Sequence, residues 1–181
     1  SMDWWHMYVY INGVQQFYNR KDGAQPFKTR GKSDILLKNV KDGDMVSIML
    51  EDYNGNMSEP TTFTVRSNPD AEITAETFPD AILLEAVRTQ IGTTFAQLDS
   101  FTGTLDLSNL DIQDYTGLNL IQAAEINLTG SNLDAIQQGT FNRNVGKVIL
   151  ANSEKLTAVY PNSFNGTDIS EIDISGCTAL Q

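Results

Sequence analysis

Between Leu105 and Leu180 the apolar positions recur in step. Short triplets with apolar outer residues stand at Leu105-Asp106-Leu107, Ile126-Asn127-Leu128, Val148-Ile149-Leu150 and Ile172-Asp173-Ile174, and their starts lie 21, 22 and 24 residues apart. Leu133, Ile136 and Phe141 return as Leu156, Val159 and Phe164, each 23 residues later. A period in the low twenties that opens on a short strand is one supersecondary unit. It cannot enclose a core alone and buries its apolar residues only by stacking on its neighbours. Side chains alternate along a strand, so the residues flanking each inward pair face out. These are Thr104, Asp106 and Ser108; Glu125, Asn127 and Thr129; Lys147, Ile149 and Ala151; and Glu171, Asp173 and Ser175.

Upstream of the repeats the period changes to that of a helix. Phe78-Pro79-Asp80 opens it, Leu83, Leu84, Val87 and Ile91 form one apolar stripe, and Gly92 stops it. An amphipathic helix here covers the open apolar end of the first repeat, with Phe95, Leu98 and Phe101 completing the plug. Further upstream the pattern alternates in twos. From Trp4 to Ile11, Trp5, Met7, Val9 and Ile11 share one face and Trp4, His6, Tyr8 and Tyr10 the other. Asn12-Gly13 is a tight-turn signal. After a polar stretch with Gly23 and Pro26, further strands are predicted at 35–37, 45–50 and 61–65, separated by turns rich in Asn, Asp and Gly. Short strands at this spacing predict a small antiparallel β-sandwich. The polar, proline-bearing run after Ser67 suits a boundary.

Two resemblances sharpen the outline. Leu105 to Leu118, with its L-x-L opening, resembles a bacterial leucine-rich repeat in which Tyr115 replaces the usual leucine. The stretch from Phe78 to Arg88 is similar to the amino-terminal cap of internalin-like repeats, and the later units, Ile136…Phe141 and Val159…Phe164, resemble the BspA-like class of bacterial surfaces. At the ladder position, where such repeats carry asparagine, stand Leu110, Ser131 and Cys177. The motifs Tyr8-Val-Tyr-Ile-Asn-Gly13, Leu37-Lys-Asn-Val40 and Asp52 to Pro60 look like the later strands of a fibronectin type III or immunoglobulin-like module, without counterparts of its first strands. The predicted architecture is multi-domain: a small antiparallel β-sandwich over 3–67, a linker at 68–72, and a short capped leucine-rich-repeat solenoid over 73–181, of parallel strands and few helices, with its cap at 73–103. The pattern stops inside a repeat, and a longer natural chain is the expectation.

Charge changes the picture in one respect. The net charge is −11. Residues 1–67 carry 8 acids and 8 bases, and residues 68–181 carry 15 acids and 4 bases, so the imbalance belongs to the repeats. Such a surface repels the phosphates of nucleic acid. No apolar run is long enough to span a bilayer. The single cysteine excludes an internal disulfide, and the single histidine argues against a histidine-built metal or catalytic centre. There is no G-x-S-x-G elbow, phosphate loop or H-E-x-x-H motif. Carboxylate pairs such as Asp111 with Asp114 are abundant, but a glycosidase needs two carboxyls across a cleft, one with a raised pKa, and a solenoid leaves such groups exposed. No catalytic residue, cofactor or established metal site is expected.

Three candidate sites remain. Asp106, Ser108, Glu125, Asn127, Lys147, Glu171 and Asp173 line the outward strand face, where such solenoids hold partners, though a solvated face fits the same residues. Trp4, Tyr8 and Tyr10 suit a sugar-stacking platform, though packing against neighbouring strands explains aromatic residues equally. Asp52, Asn54 and Asn56 alternate like calcium ligands, but the glycine and glutamate of an EF-hand loop are missing, and a hairpin turn accounts for them. The leading expectation is a non-catalytic protein-binding or spacer region of a larger bacterial extracellular protein, secreted or held at the cell surface, whose partner is a host or neighbouring protein or glycoprotein. The resemblances also imply an alternative: an accessory region of a secreted glycoside hydrolase, such as an endo-β-N-acetylglucosaminidase, that orients the enzyme or its glycoprotein substrate. A carbohydrate-binding module is the third.

Overall fold

In a computed structural model the described residues are 4–20, 23–25, 27–28 and 37–181. The chain divides into two compact units, Ser1–Ser67 and Asn68–Gln181. Among the described residues no helix is long and apolar enough to cross a membrane.

The first unit holds strands β1 (Trp4–Ile11), β2 (Val14–Gln16), β3 (Tyr18–Arg20), β4 (Gly23–Gln25), β5 (Phe27–Lys28), β6 (Met45–Asp52) and β7 (Thr61–Thr64). Five of them form one antiparallel sheet in the order β2-β1-β6-β7, with β5 beside β1. Asn12 and Gly13 turn β1 into β2 with φ of 49° and 80°, the positive values a two-residue hairpin loop demands. The Asn12 side chain then ties this turn to β6: its amide nitrogen donates to Asp44 (2.8 Å) and its oxygen accepts from the Met45 backbone N–H (2.9 Å). Val9 and Val46 are buried on one face of the sheet. His6, Tyr8 and Tyr10 lie on the other, directly opposite Glu51, Met49 and Ser47.

Strands β2 to β5 occupy the stretch that reads as merely polar. Val14-Gln-Gln and Gly23-Ala-Gln carry no alternation of their own, and the hairpin turn and the neighbouring strand hold them in place. Strands β3 and β4 pair with each other in a separate two-stranded sheet. Of the strand expected at 35–37, Ile35 and Leu36 lie outside the described residues, and Leu37 is not in a strand. The described residues thus establish an antiparallel sheet and not yet a sandwich.

The second unit begins with helices α1 (Ala81–Gln90) and α2 (Phe95–Ser100). Its strands are β8 (Thr104–Asp106), β9 (Ala123–Asn127), β10 (Ala135–Ile136), β11 (Val145–Ile149), β12 (Ala158–Val159) and β13 (Glu171–Asp173). Strands β8, β9, β11 and β13 stack as one parallel sheet. Leu105, Ile126, Val148 and Ile172 stand in register across it. Leu105, Ile126 and Val148 are fully buried, as are Leu107, Leu128 and Leu150 two residues on. On the return side of the solenoid β10 pairs in parallel with β12. The repeat is therefore a strand, a turn and a second short strand, where the sequence suggests only a returning loop.

Two polar devices complete the stack. Ser131, Ser153 and Cys177 form the ladder that asparagine forms in other repeats. The Ser131 and Ser153 hydroxyls meet at 2.9 Å, Ser153 donates to the Leu128 carbonyl (3.2 Å), and the Cys177 thiol donates to the Leu150 carbonyl (3.1 Å). Each carbonyl so reached also accepts a backbone N–H, Leu128 from Ser131 (3.0 Å) and Leu150 from Ser153 (3.1 Å), so the ladder side chains fill its second acceptor position. Tyr115 packs its ring on the core, and its hydroxyl accepts from the Asn132 N–H at 3.1 Å.

The cap works as its apolar stripe implies. Leu83, Val87 and Leu98 are fully buried, and Leu84, Ile91, Phe95 and Phe101 pack around them. The helix starts later than the apolar pattern suggests, because Asp80 is its N-cap. One Asp80 oxygen accepts from the Ile82 and Leu83 N–H groups (2.9 and 3.1 Å), and the other from Gln113 and Asp114 in the first repeat (2.8 and 3.2 Å). At the other end of α1, the Gln90 amide takes the place of a missing strand. It donates to the Asp106 carbonyl (2.7 Å) and accepts from the Asp106 N–H (2.8 Å). This closes part of the otherwise unpaired edge of β8.

Partial burial alone would raise the Asp80 pKa, but its four backbone N–H donors outweigh that and hold it below the ordinary aspartate value of 3.8. The folded pKa is depressed, so this stability is fully present above the unfolded value and is lost as pH falls through the folded one. Asp80→Ala is expected to cost about 1–2 kcal/mol. Asp80→Asn keeps the helix cap but cannot accept from Gln113, and it should flatten the loss of melting temperature below about pH 4. Thermal melts across that range check both. A second expectation concerns the turns after the strands, where Asn109 and Gly130 both have positive φ (56° and 69°). A methyl group on Gly130 would stand 2.6 Å from the Asn109 side-chain oxygen. Gly130→Ala should destabilise by about 1–2 kcal/mol from backbone strain plus this clash. Adding Asn109→Gly should remove only the clash, and a double-mutant cycle measures the split.

Candidate interaction face

The in-register sheet arranges the outward residues in rows. One row runs Thr104, Glu125, Lys147, Glu171, and the next runs Asp106, Asn127, Ile149, Asp173. Ser108, Thr129, Ala151 and Ser175 follow just beyond the strands. All seven candidate residues of this face are therefore brought together by the fold.

Their chemistry is not uniform. Lys147 sits between two carboxylates, its Nζ 3.1 Å from Glu171 Oε1 and 3.6 Å from Glu125 Oε2. The Glu171 hydrogen bond and charge, then those of Glu125, raise its pKa. Asp106, Asn127 and Asp173 turn back on their own chain. Each side-chain oxygen accepts from the N–H two residues on, at Ser108 (2.9 Å), Thr129 (3.0 Å) and Ser175 (2.9 Å). Bonds from Ser108, side chain first and then backbone, lower the Asp106 pKa; those of Ser175, backbone first, lower that of Asp173. These residues thus end their strands as well as facing outward. Ile149 and Ala151 interrupt the polar rows in the β11 unit. The face presents fixed negative charge around a paired lysine and a small apolar break.

The other candidates sort differently. On the first unit's sheet Tyr8 donates its hydroxyl to Glu51 Oε2 at 2.7 Å, His6 Nδ1 lies 3.0 Å from the same oxygen, and the two rings meet edge to face at 6.3 Å. The Glu51 hydrogen bond is the main cause of a raised Tyr8 pKa. Tyr10 is half-buried on the same face. The β1–β6 register shifts between Trp4 and His6, and the Trp4 side chain lies outside those described. Glu51 was missed in the sequence, where only its register opposite His6 would have marked it. The Asp52 carboxylate accepts from the Asn54 and Asn56 N–H groups and the Asn56 side chain, all at 2.8 Å, which is how a tight turn is built. Those bonds, led by the Asn56 side chain, lower its pKa. Among the described residues no group of three His, Cys, Asp or Glu side chains could hold a metal ion. Asp114 accepts from the Thr116 N–H and hydroxyl, and Asp111 from the side chains of Gln113 and Asn132, so this carboxylate pair serves its loops.

Residues 78–181 match the family of the Endo-beta-N-acetylglucosaminidase EndoS LRR domain. The chain belongs to this family. The match opens on Phe78, the fully buried ring at the start of the cap, so it takes in cap and repeats together. The chain is also 31% identical over 146 residues to Endo-beta-N-acetylglucosaminidase EndoS of Streptococcus pyogenes serotype M1, an alignment covering 72% of this chain and 15% of that protein. The chain thus corresponds to a small part of the relative, and the matched family is its leucine-rich-repeat domain rather than a catalytic one.

Lys147→Met is expected to leave Glu125 and Glu171 unscreened on neighbouring strands. The melting temperature should fall by a few degrees in low salt, and raising the salt should shrink the deficit, because exposed charges are screened within about 10 Å at 0.1 M. A deficit independent of salt would mean the lysine stem, not its charge, supports the row.

Proposed function

We propose that this chain is a non-catalytic accessory region of a secreted bacterial glycoside hydrolase of the endo-β-N-acetylglucosaminidase class, and that its outward sheet face helps orient the enzyme on a glycoprotein substrate. The observation that carries this reading is the match of cap and repeats to the EndoS LRR domain. It favours the hydrolase context over a free-standing surface adhesin, the reading that the repeats alone suggest. The role assigned to Glu125, Lys147, Glu171 and their neighbours is that of a protein-facing surface: rigid, polar and set on strands rather than loops. In the first unit, the antiparallel sheet and its turns support a fibronectin type III or immunoglobulin-like module that serves as a spacer. A carbohydrate-binding role for Tyr8 and Tyr10 is the second reading, supported by the Glu51 carboxylate and His6 beside them, since polar groups around a ring suit a sugar.

The test uses the complete natural polypeptide. It should contain a catalytic domain, and Glu125→Arg with Glu171→Arg should lower kcat/KM for an intact glycoprotein several-fold while leaving hydrolysis of a small free glycan unchanged. Equal loss on both substrates, or none on either, contradicts the role; a natural polypeptide without a hydrolase domain contradicts the context. Tyr10→Ala separates the second reading, which expects weaker binding of the free glycan.

A further inference from the structure

Alongside β8, where the cap meets the first strand, lies a groove of about 510 Å³ that adjoins the outward face at Asp106 and Ser108. Its walls include Ile82, Glu85, Ala86 and Gln90 of α1 and Asp106 and Leu110 of the first repeat. The volume is that of a ligand or side-chain pocket rather than a packing defect. Two of its properties point the same way. The wall is apolar where Ile82, Ala86 and Leu110 stand, and Ile82 is 42% exposed although it belongs to the helix that seals the core. Beside them stand two carboxylates without a cation. Glu85 accepts from the neutral Thr89 hydroxyl (3.2 Å), Asp106 from the Ser108 N–H, and neither has an ion pair among the described residues. The Gln90 amide is spent on the Asp106 backbone, so the polar character left to the groove is anionic.

We propose that this groove receives a segment of a partner protein carrying an arginine next to an aliphatic side chain. The aliphatic group would cover Ile82 and Leu110, and the guanidinium would pair with the carboxylates that line the groove, Glu85 and Asp106. A sugar is disfavoured because no lining residue is aromatic, and aromatic faces are what sugar rings stack on. The excess of acids in residues 68–181, 15 against 4 bases, favours a basic segment as the occupant. The inference rests on the reading of the adjoining sheet as protein-facing, and it specifies the chemistry of the partner there.

A random peptide library displayed on phage and panned on the immobilised 181-residue chain tests it, with the selected peptides then synthesised and their affinities measured. Enrichment of arginine beside leucine, isoleucine or valine is expected. Ile82→Ser should weaken the selected peptides about tenfold, and Glu85→Gln about fivefold; both side chains are exposed, so unchanged melting curves serve as the folding control. Glu125→Gln with Glu171→Gln on the sheet should change affinity less than about twofold. No enrichment, enrichment without a basic bias, or peptides that bind the Ile82→Ser chain as well as the parent would overturn the proposal. Loss confined to the sheet variant would overturn the groove and leave the sheet reading standing. Dimerisation of the chain that Ile82→Ser abolishes would make a second copy the occupant and also overturn it.

Discussion

A parallel stack of short strands buries its apolar residues only against the next unit, so its first strand has an exposed edge and an open apolar end. Much of the second unit answers that constraint. Helices α1 and α2 lay Leu83, Val87 and Leu98 over the end of the core. Two polar side chains then do what packing cannot. Gln90 supplies the donor and acceptor that a neighbouring strand would offer the Asp106 backbone. Asp80 caps α1 and, with its second oxygen, holds the loop of the first repeat. Either contact is modest alone, since a typical net hydrogen bond contributes about 1 kcal/mol. Their value lies in fixing where the cap sits, which sets the register from which the later units follow.

The same constraint shapes the outward face of the sheet. Because the core consumes the inward side of every strand, the outward side is the part of the sheet free to vary. Even there some residues carry structural duty: Asp106, Asn127 and Asp173 close turns through the chain two residues on. What remains for a partner is narrower than the list of outward residues implies. It comprises the second oxygens of Asp106 and Asp173, the amide nitrogen of Asn127, the Glu125–Lys147–Glu171 row, the apolar break at Ile149, and the groove beside Ile82. A partner complementary to this surface needs basic groups more than apolar area, and its association should weaken with salt.

The solenoid was legible because its signal is repeated. Leu105, Ile126 and Val148 each mark a buried position, and the recurrence identifies them better than any single strand could. The cap was legible for a similar reason, since Leu83, Leu84, Val87 and Ile91 give it a clear apolar stripe. Residues that act through one hydrogen bond were not. Ser153 is the centre of the buried ladder, yet a serine carries no periodic signature and its role appears only when Ser131 and Cys177 stand above and below it. Gln90 is an ordinary exposed glutamine until β8 lies beside it. In the first unit β1, β6 and β7 were visible by alternation, while β2 to β5 depend on a turn and a neighbour rather than on their own pattern. The site followed the same division. The register gave the outward face, but the pairing of Lys147 and the joining of Tyr8, His6 and Glu51 require distances that no linear pattern contains.

The most direct test of a protein-facing accessory region is the binding of the 181-residue chain to N-glycosylated glycoproteins, measured by interferometry before and after enzymatic removal of their glycans. The account predicts saturable binding that survives deglycosylation, weakens with salt, and falls when Glu125 and Glu171 are changed to arginine in a chain that still melts cooperatively. Binding that vanishes with the glycans, or no binding at all, would contradict it.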